Sequence, residues 1–181
     1  MPRLFAFLRA INVGGHTVTM DKLRGLFEAL GAREVETFIA SGNVTFSSPA
    51  KDLEALRRKI ESHLHASLGY EVTTLLRTEA ELAAIARYRP FPVARLRSAG
   101  SFNVGFLAEP LGAGQQKALM ALKTAIDDFH VHGRELYWLC KKRQSESDFS
   151  NVVFERAVKV RATFRGANTV AKLAAKYGLT P

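Results

Sequence analysis

Leu4-Phe5-Ala6-Phe7-Leu8 is an unbroken apolar run, and with its flanks it predicts a buried strand over residues 3–11. Asn12-Val13-Gly14-Gly15-His16 breaks that strand. Thr19 then suits an N-cap and Asp21 suits the first turn of a helix, where a carboxylate meets the positive end of the helix dipole. Met20, Leu23, Leu26, Phe27 and Leu30 recur at near-helical spacing, and Gly31 stands where a helix ends. Residues 34–40 and 44–47 have strand character on either side of Ser41-Gly42-Asn43. That tripeptide predicts a hairpin turn, because Gly and Asn accept positive φ. Leu53, Leu56, Ile60, Leu64 and Leu68 mark a second amphipathic helix closed by Gly69, and residues 70–76 a fourth strand. The order β-α-β-β-α-β is that of a ferredoxin-like plait.

The order then recurs. A helix near 79–87 and a connection containing Pro90 and Pro92 precede a strand at 101–108. Gly112 and Gly114 precede a helix carrying Ala118, Leu119, Leu122 and Ile126. Residues 129–132 and 135–139 form a hairpin around the two-residue turn Gly133-Arg134. Phe149, Val153, Phe154 and Ala157 predict a short helix, residues 158–164 a strand, and a last helix starts near Asn168 and stops at Gly178. The fold class is therefore α+β: two ferredoxin-like (α/β plait) units in tandem plus a C-terminal helix. The expected divisions are a first plait at 1–77, a helix and linker at 78–100, and a second plait with the last helix at 101–181.

Composition narrows the setting. Of 181 residues, 47% are hydrophobic, enough for a packed core and against wholesale disorder. No apolar run approaches the ~20 residues of a membrane span. Met1-Pro2-Arg3 leads directly into strand-like sequence, without a signal peptide. The single cysteine, Cys140, excludes an internal disulfide framework. A soluble, cytoplasmic protein with no membrane partner is expected. The net charge of +9 is uneven: residues 1–90 carry +2 and residues 91–181 carry +7. Such asymmetry fits an anionic partner, or a solvated surface that aids solubility. In the C-terminal half only Lys141-Lys142-Arg143 forms a basic run.

In a plait, the loop leaving strand 1 and the hairpin joining strands 2 and 3 meet at one end of the sheet. This brings Asn12, Gly14 and Gly15 beside Ser41, Gly42 and Asn43, with Arg9 nearby. Paired glycines between strand and helix expose backbone N–H groups, and an arginine fork holds a carboxylate or phosphate. A small anionic, phosphate-bearing ligand is the leading expectation. The bland alternative is that these glycines serve turn geometry alone.

Other motifs carry less. Gly112-Ala113-Gly114 resembles a dinucleotide fingerprint, but Lys117 occupies the third glycine position and the element order is not a Rossmann unit. Gly14-Gly15-His16-Thr17 lacks the ending of a phosphate-binding P-loop. His63 and His65 lie about 200° apart around a helix and cannot share a metal. His130 and His132 share a strand face, without a completing ligand set. The predicted hairpin pairs His130 with Tyr137, His132 with Glu135 and Asp127 with Cys140, so no histidine adjoins the thiol and Cys140 suits a core position. Ser41 has no nucleophile elbow. No cofactor, metal or general acid–base pair is called for, and no reaction is assigned.

RNA-recognition plaits stack bases on strands 1 and 3, where Phe5, Phe7 and Phe46 lie here. Val44-Thr45 is not an RNA-binding motif, so core packing is the better account of these rings. Nucleic-acid binding by the basic C-terminal half remains the alternative function, with a ligand-free structural or oligomerisation module as the third. The oligomeric state is left open.

Leu8-Arg9-Ala10-Ile11-Asn12-Val13-Gly14-Gly15 with Met20 and Leu23, and the stretch from Thr37 through Ala40-Ser41-Gly42-Asn43 to Phe46, carry a resemblance. So do Ser147-Asp148-Phe149-Ser150, Ala162-Thr163-Phe164-Arg165 and Asn168-Thr169-Val170. Together they resemble DUF1697, a bacterial family of proteins of unknown function. The resemblance spans nearly the whole chain and implies a pair of α/β plaits, but no reaction. Family members commonly have Arg-Asn-Trp-Asn-Thr where this chain has Arg165-Gly166-Ala167-Asn168-Thr169, so any contact made by that tryptophan is missing. Arg165 and Asn168 remain candidates for closing the ligand site, Asn168 also as the N-cap of the last helix.

Overall fold

The structure, a computed structural model, describes residues 1–12 and 14–180; at Ala40 and Ser41 it describes the backbone alone. The chain divides into two compact units, Met1–Leu82 and Ala83–Pro181.

In the first unit the order is β1 (Arg3–Leu8), α1 (Met20–Glu28), β2 (Arg33–Phe38), β3 (Ala40–Ser47), α2 (Leu53–Leu68) and β4 (Thr74–Thr78). The strands form one antiparallel sheet in the order β2-β3-β1-β4, the plait arrangement. Because successive strand residues face opposite ways, Leu4, Ala6 and Leu8 of β1 join Leu23 and Phe27 of α1 and Ile60 and Leu64 of α2 in one core. Phe5 and Phe7, on the other face, are also buried. Thr19 caps α1 by accepting from the Lys22 N–H at 3.1 Å, and Gly69 closes α2 in the left-handed conformation, at φ 83°.

The expected turn at Ser41-Gly42-Asn43 is wrong. The chain reverses at Ile39, Phe38 pairs with Ala40, and residues 41–43 continue β3. Asn43 lies opposite Phe7 of the neighbouring strand, so sheet pairing overrides the local turn preference of Gly and Asn. The fourth strand begins at Thr74 rather than residue 70. Tyr70 instead donates its hydroxyl to the Ile11 carbonyl at 2.7 Å and ties the run-in of β4 to the loop after β1.

Helix α3 (Glu79–Arg87) follows β4 directly and carries the chain into the second unit. There α4 (Val93–Ser98), β5 (Ser101–Phe106), α5 (Ala113–Met120), β6 (Asp127–His132), β7 (Glu135–Cys140), α6 (Asn151–Val158), β8 (Thr163–Gly166) and α7 (Ala167–Lys176) repeat the plait. Its antiparallel sheet runs β6-β7-β5-β8. The β6–β7 hairpin has the expected register, His130 with Tyr137 and Asp127 with Cys140, around Gly133 at φ 59°. Gly105 lets the sheet pack tightly: a Cβ there would lie 2.8 Å from both Leu136 Cγ and Phe164 Cε1.

Helix α4 was not anticipated in the proline-containing connection. The last strand is also later than expected. After α6, Lys159 turns left-handed, the Glu155 carboxylate accepts from the Ala162 N–H at 3.1 Å, and Asn151 donates to the Ala162 carbonyl at 2.8 Å. These bonds tie residues 159–162 to the helix and delay pairing with β5 until Thr163. The two units are tandem ferredoxin-like plaits with a C-terminal helix. Among the described residues, no helix is long and apolar enough to cross a membrane.

Candidate functional site

Strand β1 is an interior strand, and its C-terminal end marks one end of the first sheet. Phe7 is opposite Asn43, and the Arg9 N–H donates to the Thr73 carbonyl at 2.9 Å. Residues after Phe7 therefore run toward the end of the sheet at which β3 begins, with Gly42 and Asn43 near its start. Arg9, Asn12, Gly14 and Gly15 follow β1 at that end. Val13 and the side chain of Ser41 lie outside the described residues.

Each described member has a definite local role. Asn12 accepts from the Val18 N–H at 2.9 Å, closing the loop ahead of α1. Gly14 and Gly15 are exposed at φ 60° and 83°, a backbone that L-residues adopt only under strain. His16 stacks on Tyr70 with ring centroids 4.1 Å apart, and Tyr70 holds the Ile11 carbonyl. Gly42 is half-buried within β3. Asn43 is buried, and its amide donates to the Phe38 carbonyl at 3.0 Å across the hairpin. It does not take the positive φ that a turn would require. Its amide chemistry thus begins with holding the hairpin together.

Positive φ recurs at this end in residues that are not glycine. Ala10 has φ 59°, and Ile39, a β-branched residue with its side chain 60% exposed, has φ 64°. A left-handed non-glycine residue costs ~1–3 kcal/mol and persists where its surroundings dictate it. Arg9, just before Ala10, is half-buried.

Arg165 and Asn168 belong to the second unit. Arg165 is on β8, opposite Val104, and donates to Thr163 Oγ1 at 2.7 Å and to the Phe164 carbonyl at 2.9 Å. Burial lowers its pKa to about 10. The expectation that Asn168 caps the last helix is corrected: α7 starts at Ala167, Gly166 is the N-cap, and Asn168 is exposed in the first turn. Glycine at 166 extends β8 up to the helix start, leaving no loop in which Asn168 would cap.

Sequence reasoning missed a buried carboxylate with three side-chain donors. Asp127 is buried and accepts from Trp138 Nε1 at 2.9 Å, Ser147 Oγ at 2.8 Å and Thr124 Oγ1 at 2.8 Å. Burial pushes its pKa up, but these donors outweigh burial and hold it below the ordinary carboxylate value. The Asp127–Cys140 pairing was readable from the hairpin, whereas the donors from Thr124, Trp138 and Ser147 converge only in three dimensions. Cys140 is a buried core residue whose thiol pKa is raised by burial, the reverse of a reactive cysteine. The aromatic side chains that an RNA platform would present, Phe5, Phe7 and Phe46, are all buried.

Residues 1–137 match the family model described as a protein of unknown function, DUF1697. Among solved structures, the conserved bacterial protein SP0830 from Streptococcus pneumoniae is similar, with a TM-score of 0.71 and 24% identity over 96% of this chain and 97% of that one. At that identity the likeness concerns the fold. No curated protein matches the chain.

Proposed function

The chain belongs to DUF1697, a family of proteins of unknown function, and from its own geometry we propose that it binds a small anionic, phosphate-bearing ligand at the open end of the first sheet. The observation that carries this is the left-handed backbone gathered there: Ala10, Gly14 and Gly15 in the segment after β1, and Ile39 at the β2–β3 reversal. Glycine takes this conformation freely, but Ala10 and Ile39 do not, and strained residues of that kind cluster at ligand clamps and switch regions. In this reading Arg9 supplies charge, Gly14 and Gly15 supply backbone N–H donors, and Gly42 lies beside them in β3. Asn12 and Asn43 act one step back, since their amides shape the loop and the hairpin. The nucleic-acid alternative is left with the basic surface of the C-terminal half alone, because the stacking aromatics are buried.

Titration with inorganic phosphate and pyrophosphate, followed by amide NMR, tests the proposal. Saturable shifts are expected at the Gly14, Gly15 and Gly42 amides. Arg9→Ala should weaken binding about ten- to a hundredfold, the equivalent of ~1.5–3 kcal/mol for one hydrogen bond to a charged group. If these amides fail to shift, or if Arg9→Ala binds pyrophosphate as tightly as the parent chain, the site is not there.

A further inference from the structure

The second unit has a half-open cavity of about 430 Å3 on the face of its sheet that carries Phe102, Val104 and Tyr137. This is within the size range of small-molecule sites. Residues at the end of α3, on α4 and on the first turns of α7 complete the wall. The floor is aromatic: the Phe102 and Tyr137 rings are near-parallel, 22° apart in plane, with centroids at 6.2 Å. Tyr88 forms a third aromatic surface, and it is locked. Its hydroxyl is 2.6 Å from His130 Nε2, and its ring stacks on His132 at 4.0 Å. A wall residue held this firmly costs little ordering entropy on binding.

The polar part of the lining has one sign. Arg89 and Arg97 contribute guanidinium groups, Ser101 a hydroxyl and Asn168 an amide, and no carboxylate lines the cavity. Arg89 is oriented by its donations to the Ala86 carbonyl at 3.0 Å and the Tyr88 carbonyl at 3.3 Å. Arg95, on the same helix as Arg97, is neutralised by Asp128 at 3.0 Å. Arg97, two residues along, makes no ion pair among the described residues.

We propose that this cavity is a second ligand site, specific for a flat aromatic ring that bears an anionic group. The ring packs against Phe102 and Tyr88, above the buried Tyr137, and the anion meets Arg97 and Arg89 at the rim. Ala167 is a wall residue with a single methyl group, so the room available is set partly by its small size.

The test uses the full chain and three probes: 1-naphthyl phosphate, 1-naphthol and inorganic phosphate, each titrated calorimetrically. Naphthyl phosphate should bind at least about tenfold more tightly than either of its halves, because only it uses both surfaces. Arg97→Ala, at an exposed position, should reduce its affinity about tenfold, toward that of naphthol. Ala167→Trp should abolish binding by filling the cavity, with circular dichroism checking the fold. Should that variant misfold, Arg97→Ala decides alone. Naphthol binding as tightly as its phosphate, an unchanged affinity in Arg97→Ala, or no saturable binding would each overturn the proposal. Binding lost in Arg9→Ala but kept in Arg97→Ala would also overturn it, and would assign the probe to the glycine-rich end of the first unit.

Discussion

Asn43 shows how one side chain changes meaning between sequence and structure. By type it suits a turn or a ligand contact; in the fold it is a buried strand residue whose amide donates to the Phe38 carbonyl across the hairpin. Asn43→Ala removes that donor from a buried setting and should destabilise the chain by ~1–3 kcal/mol in urea denaturation. A stability unchanged by the substitution would show that the bond does not hold the hairpin. Asp127 follows the same logic. Its charge is tolerated in the core because an indole N–H and two hydroxyls replace its lost hydration.

At the level of elements, the two hairpins make the comparison. The β6–β7 hairpin was legible because Gly133-Arg134 is a two-residue turn whose geometry dictates the register on both sides. The β2–β3 hairpin was not, because its reversal falls on Ile39, a residue type that resists positive φ. Ile39→Gly should therefore raise stability by up to ~1 kcal/mol, since relief of a left-handed penalty of ~1–2 kcal/mol exceeds glycine's entropic cost of ~0.5–1 kcal/mol and the replaced side chain is exposed. Thermal denaturation of that variant reads the strain directly, and a lower melting temperature would mean that Ile39 is not strained. The same substitution tests whether the strain serves binding: a hairpin relaxed by glycine should hold pyrophosphate less well. The ends of β4 and β8 were misplaced for a related reason. Tyr70 and Glu155 reach across the chain to bond backbone groups that local patterning assigns to strands.

For the whole molecule, acid stability follows from groups buried in the second unit. Burial, and then the neighbouring charge of His132, lowers the pKa of His130 below its ordinary value of about 6.5. The unfolded chain thus binds this proton first as pH falls. The stability linked to a neutral His130 is present above about 6.5 and is lost as pH falls through its lower folded value. Asp127 and Asp128 also have lowered values; burial raises them, but hydrogen bonds to Trp138, Ser147 and Thr124 for Asp127, and to Lys123 and Arg95 for Asp128, prevail. Their stability is present above the ordinary carboxylate value of about 3.9 and is lost as pH falls below it. The melting temperature should fall in two steps on acidification, with Asp127→Asn shrinking the lower step and leaving the upper one. A single step confined to the carboxylate range would rule out the His130 contribution.

Sequence alone determined the two-unit α+β architecture, the order of the main elements, the helix caps at Thr19 and Gly69 and the β6–β7 register, because periodicity, capping and tight-turn geometry are short-range. It also placed Arg9, Asn12, Gly14 and Gly15 at the sheet end shared with Gly42 and Asn43, since plait topology leaves them no other end. Tertiary structure alone decided that the hairpin turns at Ile39, that Asp127 collects its three donors, and that Arg89, Arg97, Tyr88 and Asn168 surround one cavity. Those outcomes depend on groups distant in the chain meeting in space, where pairing, burial and desolvation outweigh the local preferences that a sequence displays.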